Sequence, residues 1–152
     1  MFHNLSGIAK IVRMTPDGTN WELAAGQATN VSSVIDTNGY DAVMFVTALG
    51  TVSATGVITQ TFLSSPDNNS DYVTMKVGAT AISLIGTAAM TKTAMTIDIY
   101  RPTQRYVQVQ TITSVANAVI DGMFAILYRA NYGETAVDTT VGIQAVYNHP
   151  NN

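Results

Sequence analysis

Residues 95–112, MTIDIYRPTQRYVQVQTI, constrain the fold more than any other stretch of the chain. Apolar residues recur at every second position in 95–100 and again in 107–112, which is the period of a strand with one buried face. Between the two runs lies Arg-Pro-Thr-Gln-Arg, at 101–105. Pro102 has a fixed φ and no backbone N–H, so a hydrogen-bonded ladder stops there and the chain turns. The stretch therefore predicts a central hairpin of two strands and a short loop.

The same alternation predicts strands along most of the chain and no long helix. Asn38-Gly39 is the strongest turn signal, and the nearly continuous apolar run 42–49 indicates a fully buried central strand. Asp121-Gly122 indicates a bulge, and residues 88–95 fit either a short helix or a loop. The remaining predicted strands cover residues 7–14, 20–25, 29–35, 57–63, 72–77, 82–85 and 118–128.

About eight short strands separated by turns are typical of a sandwich or a barrel, and their number fits a jelly roll best. We predict an all-β chain, with a jelly-roll-like antiparallel β-sandwich over residues 1–128 and an extended C-terminal arm over 129–152. The chain of 152 residues is long enough for one domain with its own core. Lys10 and Arg13 place the first strand at a sheet edge, since charged side chains discourage unwanted pairing there.

The predicted arm is unlike a disordered tail, because it is fairly rich in apolar residues and poor in charge. Its candidate contact residues are Val141, Ile143, Val146 and Tyr147. Two alternatives stay open for them. The arm adds strands to the exposed edge of a partner, or it folds back as an edge cover on its own domain.

Low charge is the main compositional signal. Charged residues make up 11% of the chain, against roughly 25% in typical soluble domains. A surface rich in Thr, Ser, Asn and Gln is less costly to desolvate than one rich in Lys and Glu, which favours a protein that works in an assembly. We therefore expect a homo-oligomer, with dimer and trimer both open. The net charge of −3 argues against a nucleic-acid partner, and no apolar run is long enough to predict a membrane partner.

The residues give little support for catalysis or metal binding. There is no cysteine, which excludes disulfides and thiolate ligands within these 152 residues. Residues 67–71 have the spacing that begins a calcium loop, but Tyr72 follows where glycine is required. His3 and His149 lie near opposite ends, and turn chemistry explains the acids Asp36 and Asp41. We predict no enzyme activity, no catalytic residues, no metal site and no cofactor.

Four segments carry a resemblance to a known family. They read NLSGIAKIVR, SSVIDTNGYDAVMFVTALG, IDIYRPTQRYV and ANAVIDGMFAILY, and together they span residues 4–128. In this order they resemble small head proteins of tailed bacteriophages. The resemblance implies a jelly-roll cement or decoration protein on the outer surface of an icosahedral capsid, where it bridges capsomers. Its expected partner is then the major capsid protein, and its expected location is the virion, after assembly in the host cytoplasm.

Two arginines, Arg101 and Arg105, stand at the two ends of the central loop. One interpretation is that they hold carboxylates or backbone carbonyls of a neighbouring capsid subunit, because Arg forms bidentate bonds and is common at interfaces. The other is an intrachain ion pair with Asp98 or Asp121. The sequence leaves both interpretations open.

A carbohydrate-binding adhesion module is the alternative function. Trp21, Tyr40, Tyr72 and Tyr132 carry rings that could stack on sugars, although aromatic residues in a sandwich more often lie in its core. A sugar site requires at least two exposed rings beside Asp or Asn, and this clustering distinguishes the two functions.

Overall fold

The computed structural model describes residues 9–16, 22–23, 29–68, 71–114, 116–128 and 143–148, the backbone alone being described for 22–23 and 143–148. The strands are β1 (Ala9–Met14), β2 (Glu22–Leu23), β3 (Thr29–Val31), β4 (Ile35–Asp36), β5 (Ala42–Val52), β6 (Val57–Ser65), β7 (Val73–Thr74), β8 (Lys76–Val77), β9 (Thr80–Ala81), β10 (Ser83–Thr87), β11 (Ala94–Tyr100), β12 (Tyr106–Ser114), β13 (Ala118–Tyr128) and β14 (Ile143–Asn148). A 3₁₀ turn at Ala88–Met90 precedes β11, so both alternatives for 88–95 were partly right.

The strands form two main sheets. Sheet I has the order β1-β13-β5-β11-β14, with β2 beside β13; sheet II has the order β10-β6-β12-β3, with β4 beside β12 and β7 beside β6. The short strands β8 and β9 pair with each other. From β10 to β13 each successive strand lies in the opposite sheet, and β5 and β6 do the same. Without β2, β4, β7 and β14, the two sheets have four antiparallel strands each, in the orders β1-β13-β5-β11 and β10-β6-β12-β3. This arrangement is that of a jelly roll and confirms the predicted all-β antiparallel sandwich.

The central stretch corrects one prediction. Both of its strands exist, as β11 and β12, but they belong to different sheets and do not form a hairpin. β11 pairs with β5, and β12 pairs with β6. The loop at 101–105 therefore carries the chain from one sheet to the other. Alternation reveals which face of a strand is buried, but it does not reveal which strand is its neighbour.

The core lies between the two sheets and is centred on β5 and β6. Phe45 of β5 is 2% exposed, and its ring lies 5.1 Å from the ring of Phe62 on β6, between centroids. Strand β5 is central, as predicted, with β13 and β11 on its two sides. It is not buried on both faces, because Met44 and Val46 point away from the core and are only partly covered.

A polar network lies inside this apolar core. Gln60 of β6 is 1% exposed, and its Nε2 lies 3.0 Å from Oγ1 of Thr47 on β5 and 3.5 Å from Oγ1 of Thr111 on β12. The Gln60 Oε1 accepts a hydrogen bond of 3.2 Å from the same Thr47 hydroxyl. The three side chains thus satisfy one another's hydrogen-bonding groups in the buried core, away from solvent.

The bulge predicted in β13 is present. Its register against β5 shifts between Ala118 and Gly122. The shift brings the Asp121 side chain over Gly50, where a Cβ would come within 2.5 Å of a carboxylate oxygen. A larger residue at position 50 would therefore have to displace the Asp121 carboxylate and would lie 3.2 Å from the Val119 Cβ.

The two edges of sheet I differ. Strand β1 pairs with β13 along one edge and carries the exposed side chains of Lys10 and Arg13, as predicted. At the other edge β14 pairs with β11 in parallel, in contrast to the antiparallel pairs elsewhere in the sheet. For residues 143–148 the structure thus shows the intrachain edge cover. Residues 129–142 and 149–152 lie outside the described residues, so the domain boundary at 128 stays a prediction.

We predict that Phe45→Ala lowers the free energy of unfolding by about 3–5 kcal/mol, because it leaves a cavity against Phe62 between the sheets. Urea denaturation measures the change. Phe124→Ala is the matched control: this ring is 38% exposed on the outer side of sheet I, and its loss should cost under about 1 kcal/mol. Equal losses in the two variants would contradict the assignment of Phe45 to the core.

Candidate functional site

Two loops meet at one end of the sandwich and form a shallow concavity of about 430 Å³, lined by residues 37–41 and 101–105. We call this region the loop end. The loops are fastened by backbone hydrogen bonds, from Arg101 N–H to Asp41 O at 2.7 Å and from Thr37 N–H to Arg105 O at 2.9 Å. The Thr37 hydroxyl donates a further bond of 2.7 Å to Arg105 O. Main-chain hydrogen bonds and the buried Thr37 hydroxyl thus hold the two loops together.

Arg105 forms an intrachain ion pair, although not with either acid that the sequence suggested. Its Nε and Nη2 donate to the two carboxylate oxygens of Asp36, both at 2.8 Å. The guanidinium also lies 4.9 Å from the centre of the Tyr106 ring. This hydrogen bonding, followed by a bond from the backbone N–H of Asn38, lowers the pKa of Asp36 from 3.8 to about 2. The proposed pairing with Asp98 or Asp121 was therefore wrong for Arg105.

Arg101 lines the same concavity, so the structure brings the two predicted arginines together. Its backbone has a φ of +50°, which is uncommon for a residue other than glycine. The hydrogen bond to Asp41 O holds that conformation. The guanidinium lies 5.1 Å from the centre of the Tyr100 ring, which positions the positive charge at the rim of the loop end.

The outer side of sheet I carries a second candidate surface, which we call the apolar face. The register places Ile11, Ile126 and Met44 in one row across β1, β13 and β5, with Phe124 and Val46 in the next row. Ile11 is 61% exposed and Phe124 is 38% exposed. Contiguous apolar groups of this kind are typical of surfaces that contact another molecule.

The outer side of sheet II is different. Its central positions are mostly polar: Gln108 and Gln110 on β12 are paired to Leu63 and Thr61 on β6. The centre of this side is therefore more polar than the apolar face, although Ile85 and Val73 are exposed on the flanking strands β10 and β7. The sequence reading missed this asymmetry, because it assigned the apolar residues of β5 to a fully buried strand.

One carboxylate lies beside the apolar face. Tyr128 on β13 donates its hydroxyl to Asp98 Oδ2 on β11, across the intervening strand β5. The other oxygen, Oδ1, is buried and has no hydrogen-bond partner among the described residues. Burial raises the pKa of Asp98 above 3.8 despite the opposing effect of the Tyr128 hydrogen bond, and it raises the pKa of Tyr128 as well. Ionisation of Asp98 is thus less favourable in the folded protein than in water.

The predicted contact residues of the arm are only partly placed. Val141 lies outside the described residues. Ile143, Val146 and Tyr147 lie on β14, in register with Met95, Asp98 and Ile99 of β11. The last residue of β14 pairs with Tyr100, so this strand ends beside the loop end.

The aromatic cluster expected of a sugar site is not found in the described part of the chain. Tyr40 lines the loop end but packs partly against the core, and Tyr72 is half-buried. Trp21 and Tyr132 lie outside the described residues. The described ranges contain no group of three or more His, Asp or Glu that could hold a metal ion. In the same ranges, no helix has the length and apolar character needed to cross a membrane.

Comparison with known proteins gives little further information. No protein-family model matches the chain, and no curated protein matches it. The chain is similar to a solved chain from Bacillus endospore appendages, a family of disulfide-linked pili, with 18% identity over 81% of this chain and 91% of that chain. The TM-score of 0.40 is too low for that similarity to support an argument about this protein.

The Asp36–Arg105 pair should stabilise the protein in a defined pH range. Because folding lowers the pKa of Asp36 from 3.8 to about 2, the pair stabilises the folded state above pH 3.8 and this contribution is lost as the pH falls towards 2. Both side chains are nearly half exposed, so the contribution is small and salt weakens it. We expect Asp36→Asn to lower the melting temperature at neutral pH and to match wild type near pH 2.

Asp41→Asn is the control for this experiment, because it removes the same charge from the loop end and the described residues show no ion pair at Asp41. A loss of melting temperature in Asp36→Asn that is independent of pH would contradict the ion-pair explanation.

Asp98 should have the opposite pH dependence. Its pKa is raised on folding, so the ionised form destabilises the folded state at neutral pH, and this cost disappears as the pH falls through the folded-state value towards 3.8. Asp98→Asn keeps an acceptor for Tyr128 without the charge. We expect the variant to be at least as stable as wild type at neutral pH, with a difference that shrinks in acid. Thermal melts from neutral to acidic pH test this, and a variant that is less stable at neutral pH would contradict it.

Proposed function

We propose that this chain is a structural virion protein, a cement or decoration protein that binds the outer surface of a bacteriophage capsid and stabilises contacts between capsomers. The apolar face is the observation that carries the proposal. It provides a contiguous and mostly uncharged surface on sheet I, whereas Gln108 and Gln110 lie at the centre of the outer side of sheet II. The proposal also draws on the low charge of the chain and on the head-protein resemblance of residues 4–128.

Contiguous apolar surfaces suit contact with a protein partner. Burying apolar area contributes roughly 25 cal/mol per Å², and Ile11 and Phe124 are the large apolar side chains of sheet I with the most area left to bury. Arg13 lies at the margin of the apolar face, opposite Phe124 in the register. A charged margin around an apolar centre is the usual anatomy of a protein interface.

The loop end provides a second contact of different chemistry. Arg101 is exposed at the rim of the concavity, and planar guanidinium groups suit carboxylates and carbonyls on a partner. Arg105 is committed to Asp36 and contributes mainly to the shape of the loop end. In this proposal the major capsid protein contacts the apolar face first and Arg101 fixes the orientation. A further contact between copies of the chain gives the homo-oligomer.

Binding to assembled shells tests the proposal. We expect the protein to sediment with icosahedral shells of its major capsid protein and not to bind the free capsid subunit, because the bridged surface exists only in the shell. Ile11→Lys should weaken this binding by at least about tenfold, which corresponds to about 1.4 kcal/mol. Its melting temperature should not change, since the side chain is 61% exposed.

Ile85→Lys is the matched control. Ile85 is 53% exposed on sheet II, so the substitution introduces the same charge on the other side of the sandwich. If Ile85→Lys weakens binding as much as Ile11→Lys, the apolar face is not the contact surface. If the wild-type chain does not sediment with shells at all, the proposed function is wrong.

A further inference from the structure

The turn that leads into β5 contains the one Asn-Gly pair of the chain, Asn38-Gly39. The Tyr40 N–H donates a bond of 3.0 Å to Thr37 O, which closes a four-residue turn. Gly39 occupies its third position with a φ of +85°, as a type II turn requires. Asn38 and Gly39 are both exposed at the rim of the loop end, and the proposed function gives neither of them a role.

The backbone nitrogen of Gly39 is open to reaction. Among the described residues no acceptor is bonded to its N–H, whereas the neighbouring N–H groups of Asn38 and Tyr40 are both bonded. Apart from Gly39 and its two neighbours in the chain, no described residue has a heavy atom within 4 Å of the point where a Cβ would stand on Gly39. The Asn38 carboxamide likewise has no bonded partner in the part of the chain that the structure describes. The nucleophile and the carbonyl carbon it would attack are therefore adjacent, unshielded and uncommitted.

We propose that Asn38 is a site of spontaneous deamidation through a succinimide. A base removes the Gly39 amide proton, and the nitrogen attacks Asn38 Cγ to form a new C–N bond. The bond from Cγ to the side-chain nitrogen breaks, and that nitrogen leaves as ammonia after taking a proton from water. Water then adds to either carbonyl of the five-membered imide and opens it to aspartate or to isoaspartate. The net reaction consumes one water and releases one ammonia, and no oxidant or reductant takes part.

The product would change the electrostatics of the loop end. A carboxylate at position 38 joins Asp36 and Asp41, so three acids then surround one end of the concavity. The isoaspartate product also adds a methylene to the main chain at the residue whose N–H bonds to Asp36 Oδ1 at 3.0 Å. That bond helps to lower the pKa of Asp36. The modification therefore changes the pKa of the carboxylate that pairs with Arg105. The reaction itself does not depend on the proposed function.

Ageing of the intact protein tests the proposal. The full chain is incubated at neutral and at mildly alkaline pH, digested, and mapped by mass spectrometry, with isoaspartate detected by an isoaspartyl methyltransferase. We expect conversion at position 38 to both aspartate and isoaspartate, faster at the higher pH because the attacking nitrogen must lose its proton. Asn38→Gln should show no conversion there, since the longer side chain closes a six-membered ring much less readily.

Asn117 is the internal control, because it is also exposed but precedes Ala118, which is a buried strand residue. The proposal is overturned if Asn38 stays intact while Asn117 converts. It is also overturned if position 38 yields aspartate without isoaspartate, which indicates direct hydrolysis of the side chain. Titration of Asp36 by NMR tests the consequence. Asn38→Asp should raise the pKa of Asp36 through like-charge repulsion. An unchanged pKa of Asp36 would show that the new charge does not affect the ion pair.

Discussion

The contact between Phe45 and Phe62 is the interaction on which the rest of the molecule depends. It joins β5 to β6, the two central strands of opposite sheets, at a ring separation of 5.1 Å. The chain crosses repeatedly from one sheet to the other, so the two sheets must form together. Each sheet then buries its inner face against the other. The strands that flank β5 and β6, and the loops that cross at the loop end, are positioned by the closure of this interior.

The sequence predicted the class of fold well because alternation is a local property. Strands β11 and β12 were placed to within two residues at each end, and the bulge of β13 was placed at Asp121-Gly122. Partners were harder to predict, because they depend on contacts distant in sequence. Arg105 bonds to Asp36, 69 residues away, since β4 pairs with β12 beside it. Nothing near Arg105 in the sequence indicates that acid.

The apolar face shows a different limit of sequence reading. A run such as residues 42–49 has apolar residues on both sides of the strand, which fits either a strand buried twice or a strand with one apolar side left open. The structure shows the second case, with Phe45 inside and Met44 and Val46 outside. The two cases differ only in whether another surface packs against the outer side of the strand. The sequence of the strand itself does not specify that surface. The same local pattern can therefore encode a core in one protein and an interface in another.

The hydrogen bonds among Gln60, Thr47 and Thr111 fix the position of one sheet relative to the other. An interface of methyl and methylene groups alone would lose little if one sheet slid over the other by a residue pair. Here such a slide would separate Gln60 from Thr47 and leave it only Thr111, which lies in its own sheet, at a cost of about 1–3 kcal/mol for each unmet buried group. The triad spans β5, β6 and β12 and so fixes both sheets at once. A single buried amide thereby helps to define which surfaces the sandwich presents, and at what angle.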